Sequence, residues 1–268
     1  MRPFDRSGMR RMMSMTKRQI CSLLVLTVLL SGAIRAQSPV LPNAPQPAND
    51  APTIRNFPRN FVRDQQAIWT SPLHMNEGAA VMSILFISGA AALGAEDRHI
   101  MQNHFLDKST NDHANTASTG LTGLFIGAPV ALYGMGHMRK DVHAEETGML
   151  AGEAIVSSVA VNEVFKIVSR RERPTVNDAK GKFFQPGVGF DSSFASNHSV
   201  IAWSSATVIA SEYDSWLTKL AAYSLAGGVS VTRVMGRDHF PSDVLVGSAV
   251  GWMIGRYVSH RHHRSDYF

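Results

Sequence analysis

The sequence predicts an all-α bundle of about six core helices, on three observations. Apolar residues come in six long runs rather than in the short alternating stretches of strands. Ala, Gly, Ser and Val dominate these runs, and such small residues let helices approach closely. Charged residues make up only 18% of the 268-residue chain and apolar ones 44%, so a large core can be buried.

Taken in order, the chain opens on a basic stretch ending at Arg18, an apolar run from Ile20 to Leu30, and the small residues Ser31, Gly32, Ala33 and Ala36. This is the pattern of a secretory leader, and residues 1–36 are expected to be a signal peptide. Cleavage after Ala33 fits best, and the apolar run is short for a spanning helix; an uncleaved anchor is the alternative. Cys21, the single cysteine, lies in the leader, so the exported chain would have no disulfide and no cysteine nucleophile. Residues 37–56 are rich in Pro, Ala and Asn and read as a flexible tether.

A helical domain is expected over 57–260. Residues 57–70 set Phe57, Phe61, Ile68 and Trp69 among charges, as in a short amphipathic helix. Core helices are expected at about 78–95, 117–136, 147–169, 198–212, 216–235 and 242–258. Residues 261–268 form a basic, His-containing tail, expected to be disordered.

The formal net charge of +5 does not point to nucleic acid. Residues 1–36 hold seven Lys or Arg and one acid, and the remainder balances 19 basic against 20 acidic side chains. The first two core helices are apolar enough to span a membrane. Glu153 and Glu163 lie within the third, and mid-membrane charge is costly. After an exported tether, three spans would also leave the chain beyond residue 169 on the cytoplasmic side. The sequence therefore favours an exported bundle in the periplasm or cell envelope, with membrane embedding as the alternative.

Three stretches carry chemistry. In the first, Lys166 precedes Arg173-Pro174, and the proline breaks the helix there. A lysine and an arginine at such a junction can hold one anion, although basic capping of a helix C-terminus is an equal reading. In the second, Ser196-Asn197-His198 opens an apolar helix. Ser196 suits an N-cap, helix-start N–H groups favour anions, and His198 could donate a proton; a cap with a surface histidine is the plainer reading. In the third, Arg233 lies six residues before His239, and Asp243 four after it. A carboxylate hydrogen-bonded to one imidazole nitrogen would leave the other free to attack; the plain reading is a capping Asp beside a packed histidine. Arg170, Arg171 and Arg237 read as solvated surface, and Glu153 and Glu163 as buried partners of cations.

Together these stretches resemble the type 2 phosphatidic acid phosphatase and vanadium haloperoxidase superfamily, whose signature runs K-x6-R-P, P-S-G-H, S-R-x5-H-x3-D. Lys166, Arg173 and Pro174 match the first part, Ser196 and His198 the second, and Arg233, His239 and Asp243 the third. The likeness covers about residues 147–258. Ala195, Asn197 and Thr232 depart from the pattern, and Asn197 is expected to preserve the loop by tolerating left-handed geometry.

The resemblance implies a metal-independent phosphatase acting through a phosphohistidine. Lys166, Arg173, Arg233, Ser196 and the Asn197 N–H would hold phosphate. His239 would attack, Asp243 would orient it, and His198 would protonate the leaving group. No cofactor is expected. Vanadate would be needed only under the alternative of a haloperoxidase, and a non-catalytic lipid-binding envelope protein is a further alternative. The expected partner is a phosphorylated small molecule or lipid, with membrane association and without nucleic acid.

Overall fold

The computed structural model describes residues 52–103 and 106–262. The expected signal peptide, most of the tether and residues 263–268 of the tail lie outside the described residues. Among those described there are seven α-helices and no strand. They are α1 (Phe57–Thr70), α2 (Glu77–Gln102), α3 (Lys108–Arg139), α4 (Val142–Ser169), α5 (Asn197–Glu212), α6 (Trp216–Met235) and α7 (Pro241–His262). The last six correspond to the six apolar runs. The helices outlast the runs where polar residues continue them. α2 extends past Asp97, and α3 begins at a polar turn capped by Asp107, which accepts from the Thr110 N–H at 2.7 Å.

Among the described residues, the two larger of three core clusters join the helices of the bundle. Phe125 of α3 packs with Ala202, Trp203 and Ala206 of α5 and Ala226 and Val229 of α6. Leu150, Ala154 and Val161 of α4 pack with Val208 of α5 and Val250, Ile254 and Val258 of α7. Burial of the Val, Leu, Ile and Phe side chains among them stabilises each by about 1.5–3 kcal/mol.

α5 and α7 run parallel in close contact, because Gly247, Gly251 and Gly255 recur every fourth residue along one face of α7. A Cβ at Gly251 would lie 2.4 Å from the Val200 carbonyl oxygen, and one at Gly255 would lie 2.6 Å from that of Ser204. Backbone cannot yield as a side chain can. Gly251→Ala is therefore expected to cost about 1–3 kcal/mol and lower the thermal midpoint by about 2–10 °C. An unchanged midpoint in a thermal melt would rule out this close contact.

The helix directions bring the C-terminal ends of α2, α4 and α6 to the N-terminal ends of α3, α5 and α7. Asp97 of α2 meets Ser242 of α7, Asn115 of α3 meets Gly236 after α6, and Asn162 of α4 meets Asn197 of α5. All three sequence stretches therefore share one end of the bundle.

α2, α3 and α4 are each long and apolar enough to cross a membrane. α4 qualifies despite Glu153, which is buried and accepts from Asn60 Nδ2 at 3.3 Å. On α2, Val81, Met82, Ile84, Leu85 and Ile87 are all exposed. α1 is mixed in its exposure, with Ile68 packed against the second core cluster and Arg59 and Gln66 exposed. It buries Asn60 and Asp64, while Val62 and Trp69 face outward. These apolar surfaces favour membrane embedding over the bundle in water that the charge and parity arguments suggested.

Candidate active site

Lys166 lies in the last turn of α4, 3% exposed, and its Nζ donates to the Ser192 carbonyl at 2.5 Å. The helix stops at Arg170, which takes a left-handed conformation with φ 42°. Beyond it, Arg173 donates through Nε and Nη2 to Asp191 Oδ1 at 3.2 and 3.0 Å and through Nη1 to the Asp238 carbonyl at 3.3 Å. Arg233, in the last turn of α6, is 5% exposed and pairs with Asp238 at 2.6 Å. A cleft of about 510 Å³, lined by Asn115, Thr116, Thr119, Gly120, Arg233 and Asp238, opens beside it.

Ser196 caps α5, its hydroxyl oxygen facing the Ser199 N–H at 3.5 Å. It is fully buried, with its hydroxyl engaged by the helix. Asn197 is helical, not left-handed. Its side chain receives from Asn162 Nδ2 at 2.5 Å and donates to Glu163 Oε1 at 2.7 Å. The expectation of a left-handed Asn197 is thus corrected, because the helix starts one residue earlier than such a loop requires. Glu163 and Glu153 accept from the amides of Asn197 and Asn60, and the Glu163 charge also acts on Lys166, a cation as the sequence suggested. Thr232 donates its hydroxyl to Gly228 and Val229 carbonyls of its own helix.

His198 and His239 both feel the same three cations. Burial, then the charges of Arg233, Arg173 and Lys166, push His198 down to about 4. Burial and the same three charges in the same order hold His239 well below the ordinary imidazole range. One electrostatic cluster therefore joins Lys166, Arg173, His198, Arg233 and His239, residues spread over 74 positions.

The partner of His239 differs from expectation. Its Nδ1 lies 2.7 Å from the Ser193 carbonyl oxygen. A carbonyl only accepts, so Nδ1 carries the proton and Nε2 keeps its lone pair. Asp243 was expected to hydrogen-bond the imidazole directly. Instead it receives from Ser193 Oγ at 2.5 Å, Arg171 Nη1 at 2.5 Å and the Phe240 N–H at 3.1 Å. The reason is local: Asp243 lies in the first turn of α7, where its carboxylate folds back on the Phe240 N–H and meets Arg171. Arg171 is 4% exposed and so is not the solvated side chain that the sequence suggested, while Arg170 does lie on the surface and Arg237 is half-buried.

Sequence reasoning missed Ser193, Arg171 and Asp97. Ser193 acts through its backbone as well as its hydroxyl, which no residue pattern reveals. Asp97 carried one legible signal, an acid within a helix apolar enough for a membrane.

Residues 147–267 match the model of the PAP2 superfamily. This segment belongs to the PAP2 superfamily. The chain shares its fold with a solved transmembrane PAP2-type phosphatidylglycerolphosphate phosphatase from Bacillus subtilis, at TM-score 0.53 and 21% identity over 70% of this chain and 98% of that one. A lipid A 1-phosphatase from Porphyromonas gingivalis is 34% identical over 85 residues. That match spans 30% of this chain and 19% of the relative's length. The PAP2 segment starts within α4 and runs through α7, so it contains every candidate phosphate ligand and both histidines.

Proposed function

We propose that this PAP2 protein is a phosphatase that hydrolyses phosphate monoesters or diphosphates, with lipid phosphates as its substrate class. What carries this function is the joint action of Lys166, Arg173 and Arg233 on His198 and His239, with Nδ1 of His239 tied to a carbonyl. Three cations around a nucleophilic nitrogen suit a phosphoryl group, whose charge sits on its equatorial oxygens. They supply the neutralisation that a divalent ion supplies elsewhere, so no metal or other cofactor takes part.

In the first step His239 Nε2 forms a bond to phosphorus as the ester or anhydride oxygen leaves. His198 gives that oxygen a proton. In the second step His198 takes a proton from water, the water oxygen bonds to phosphorus, and the N–P bond breaks to release inorganic phosphate. The N–H groups at the start of α5 and the Ser196 hydroxyl assist in holding the phosphate. Asp243 acts on His239 through Ser193.

Lipid phosphates are favoured by the outward apolar residues of α2 and by α2, α3 and α4 as membrane-crossing helices. The names of the two relatives point to lipid phosphates as well. The chain is embedded in a membrane of the cell envelope, and the site end of the bundle lies at a membrane surface.

The test is phosphate release by the full chain in detergent, on phosphatidic acid, a polyprenyl diphosphate and a water-soluble phosphomonoester, with chelator present. Release from a lipid phosphate, unaffected by chelator, is expected. Release only from the soluble ester would overturn the lipid class, and no release from any of them would overturn the phosphatase.

A further inference from the structure

The geometry points to Arg171, held by Asp97, as the positioning residue of His239. This rests on His239 being the nucleophile, and extends it to a side chain that touches neither imidazole nor phosphate.

Arg171 reaches the histidine's partner by two routes. Its backbone carbonyl accepts from the Ser193 N–H at 2.8 Å. Its Nη1 holds Asp243 Oδ1 at 2.5 Å, and the other oxygen of Asp243 accepts from Ser193 Oγ at 2.5 Å. Ser193 is thus fixed at its N–H and its hydroxyl, and its remaining polar group, the carbonyl, receives His239 Nδ1 at 2.7 Å. A shift of Arg171 moves Ser193 and turns the imidazole.

The guanidinium is itself pinned on every side. Nη2 donates to Asp97 Oδ2 at 2.8 Å, Nη1 also to Ser242 Oγ at 2.9 Å, and Nε to the Gly181 carbonyl at 3.3 Å. The Phe240 and Phe183 rings lie 4.1 and 4.8 Å from its centre. Asp97 comes from α2 and also receives the Ser242 N–H at 3.1 Å and the Ser242 hydroxyl, so it caps the start of α7 from another helix. Arg171, Asp97 and Asp243 are 4%, 1% and 0% exposed, and two carboxylates share one guanidinium. A planar fork can serve both at once where an ammonium cannot. Among the candidate phosphate ligands, Arg173 and Arg233 pair with Asp191 and Asp238, outside this network, and Lys166 donates to the carbonyl of Ser192, whose hydroxyl accepts from the backbone N–H of Arg171 rather than from its guanidinium.

This arrangement separates two properties. Loss of the fork turns His239 and slows attack, but leaves the phosphate ligands in place. Arg171→Lys and Asp97→Asn, in the full chain in detergent, are expected to lower kcat by about 10- to 100-fold. The affinity for inorganic phosphate, read by calorimetry, should stay within about threefold of wild type. Rapid-quench trapping should show the phosphoenzyme burst slowed at undiminished amplitude. Should Arg171→Lys not fold, Asp97→Asn decides.

A folded Asp97→Asn with kcat within twofold of wild type overturns the inference. So does a loss of kcat matched by equal losses of burst amplitude and phosphate binding, which is what general loosening would produce. If wild type itself shows no turnover or no phosphohistidine, the phosphatase reading fails and takes this inference with it; active wild type with unaffected variants defeats this inference alone.

Discussion

His239→Ala is expected to abolish turnover, by about 10⁴-fold or more, while inorganic phosphate still binds. The nucleophile is lost, but Lys166, Arg173 and Arg233 remain, and each is held by a partner other than His239. Electrostatic grip and covalent attack should therefore come apart in this one variant. The measurement is phosphate release beside phosphate affinity, with acid-stable and acid-labile phosphoprotein counted after rapid quench. Wild type should yield an acid-labile, base-stable phosphoenzyme and the variant none. Turnover above about one hundredth of wild type would exclude His239 as the nucleophile.

The second large effect is expected at His198, and it should depend on the leaving group. A general acid contributes about 10²- to 10⁴-fold where the departing oxygen needs a proton. His198→Ala should therefore slow hydrolysis of an alkyl or lipid phosphate by that factor. A nitrophenyl phosphate, whose leaving group departs without a proton, should slow by about tenfold or less. Equal losses on both esters would remove His198 from the acid role.

The same residue sets a pH signature. Burial and the three cations push His198 down to about 4, so it is neutral near pH 7 in the free site. A phosphate dianion among those cations offsets their charge and favours the imidazolium, so binding should take up a proton. Calorimetry in two buffers of different ionisation enthalpy should reveal the uptake near pH 7, and His198→Ala should diminish it. The unfolded imidazole titrates near pH ~6.5, above the folded value, so between these two values the unfolded chain holds a proton that the folded chain lacks. Stability from this group is thus fully present above pH ~6.5 and is lost as the pH falls toward about 4. Thermal midpoints over that window should fall less in His198→Ala than in wild type.

Much of this was legible along the chain. Period and composition determine helices, because a helix buries an apolar stripe whatever its neighbours are. The six apolar runs therefore located α2 to α7, and the order of the three motifs located Lys166, Arg173, His198, Arg233 and His239. Helix ends were less legible. The apolar run stops at Ala95, but the helix continues to Gln102, and the Asp97 carboxylate within it is satisfied by Arg171 and Ser242 from far along the chain.

What only the tertiary structure decided is which group serves which. Spacing of four residues allowed Asp243 to reach His239, and in the fold the carboxylate turns to Arg171, Ser193 and the Phe240 N–H instead. A side chain's choice of hydrogen-bond partner depends on competing donors, and here the two side-chain donors, Arg171 and Ser193, come from the loop that follows α4. Arg171 and Arg170 are neighbours with the same chemistry, yet one is buried between two carboxylates and the other lies on the surface. Between them the helix ends, at the left-handed Arg170. Sequence alone determined which elements form and which chemical groups they carry. Partnership and burial belonged to the packing, because burying a charge is tolerable only where another part of the chain supplies its counter-charge.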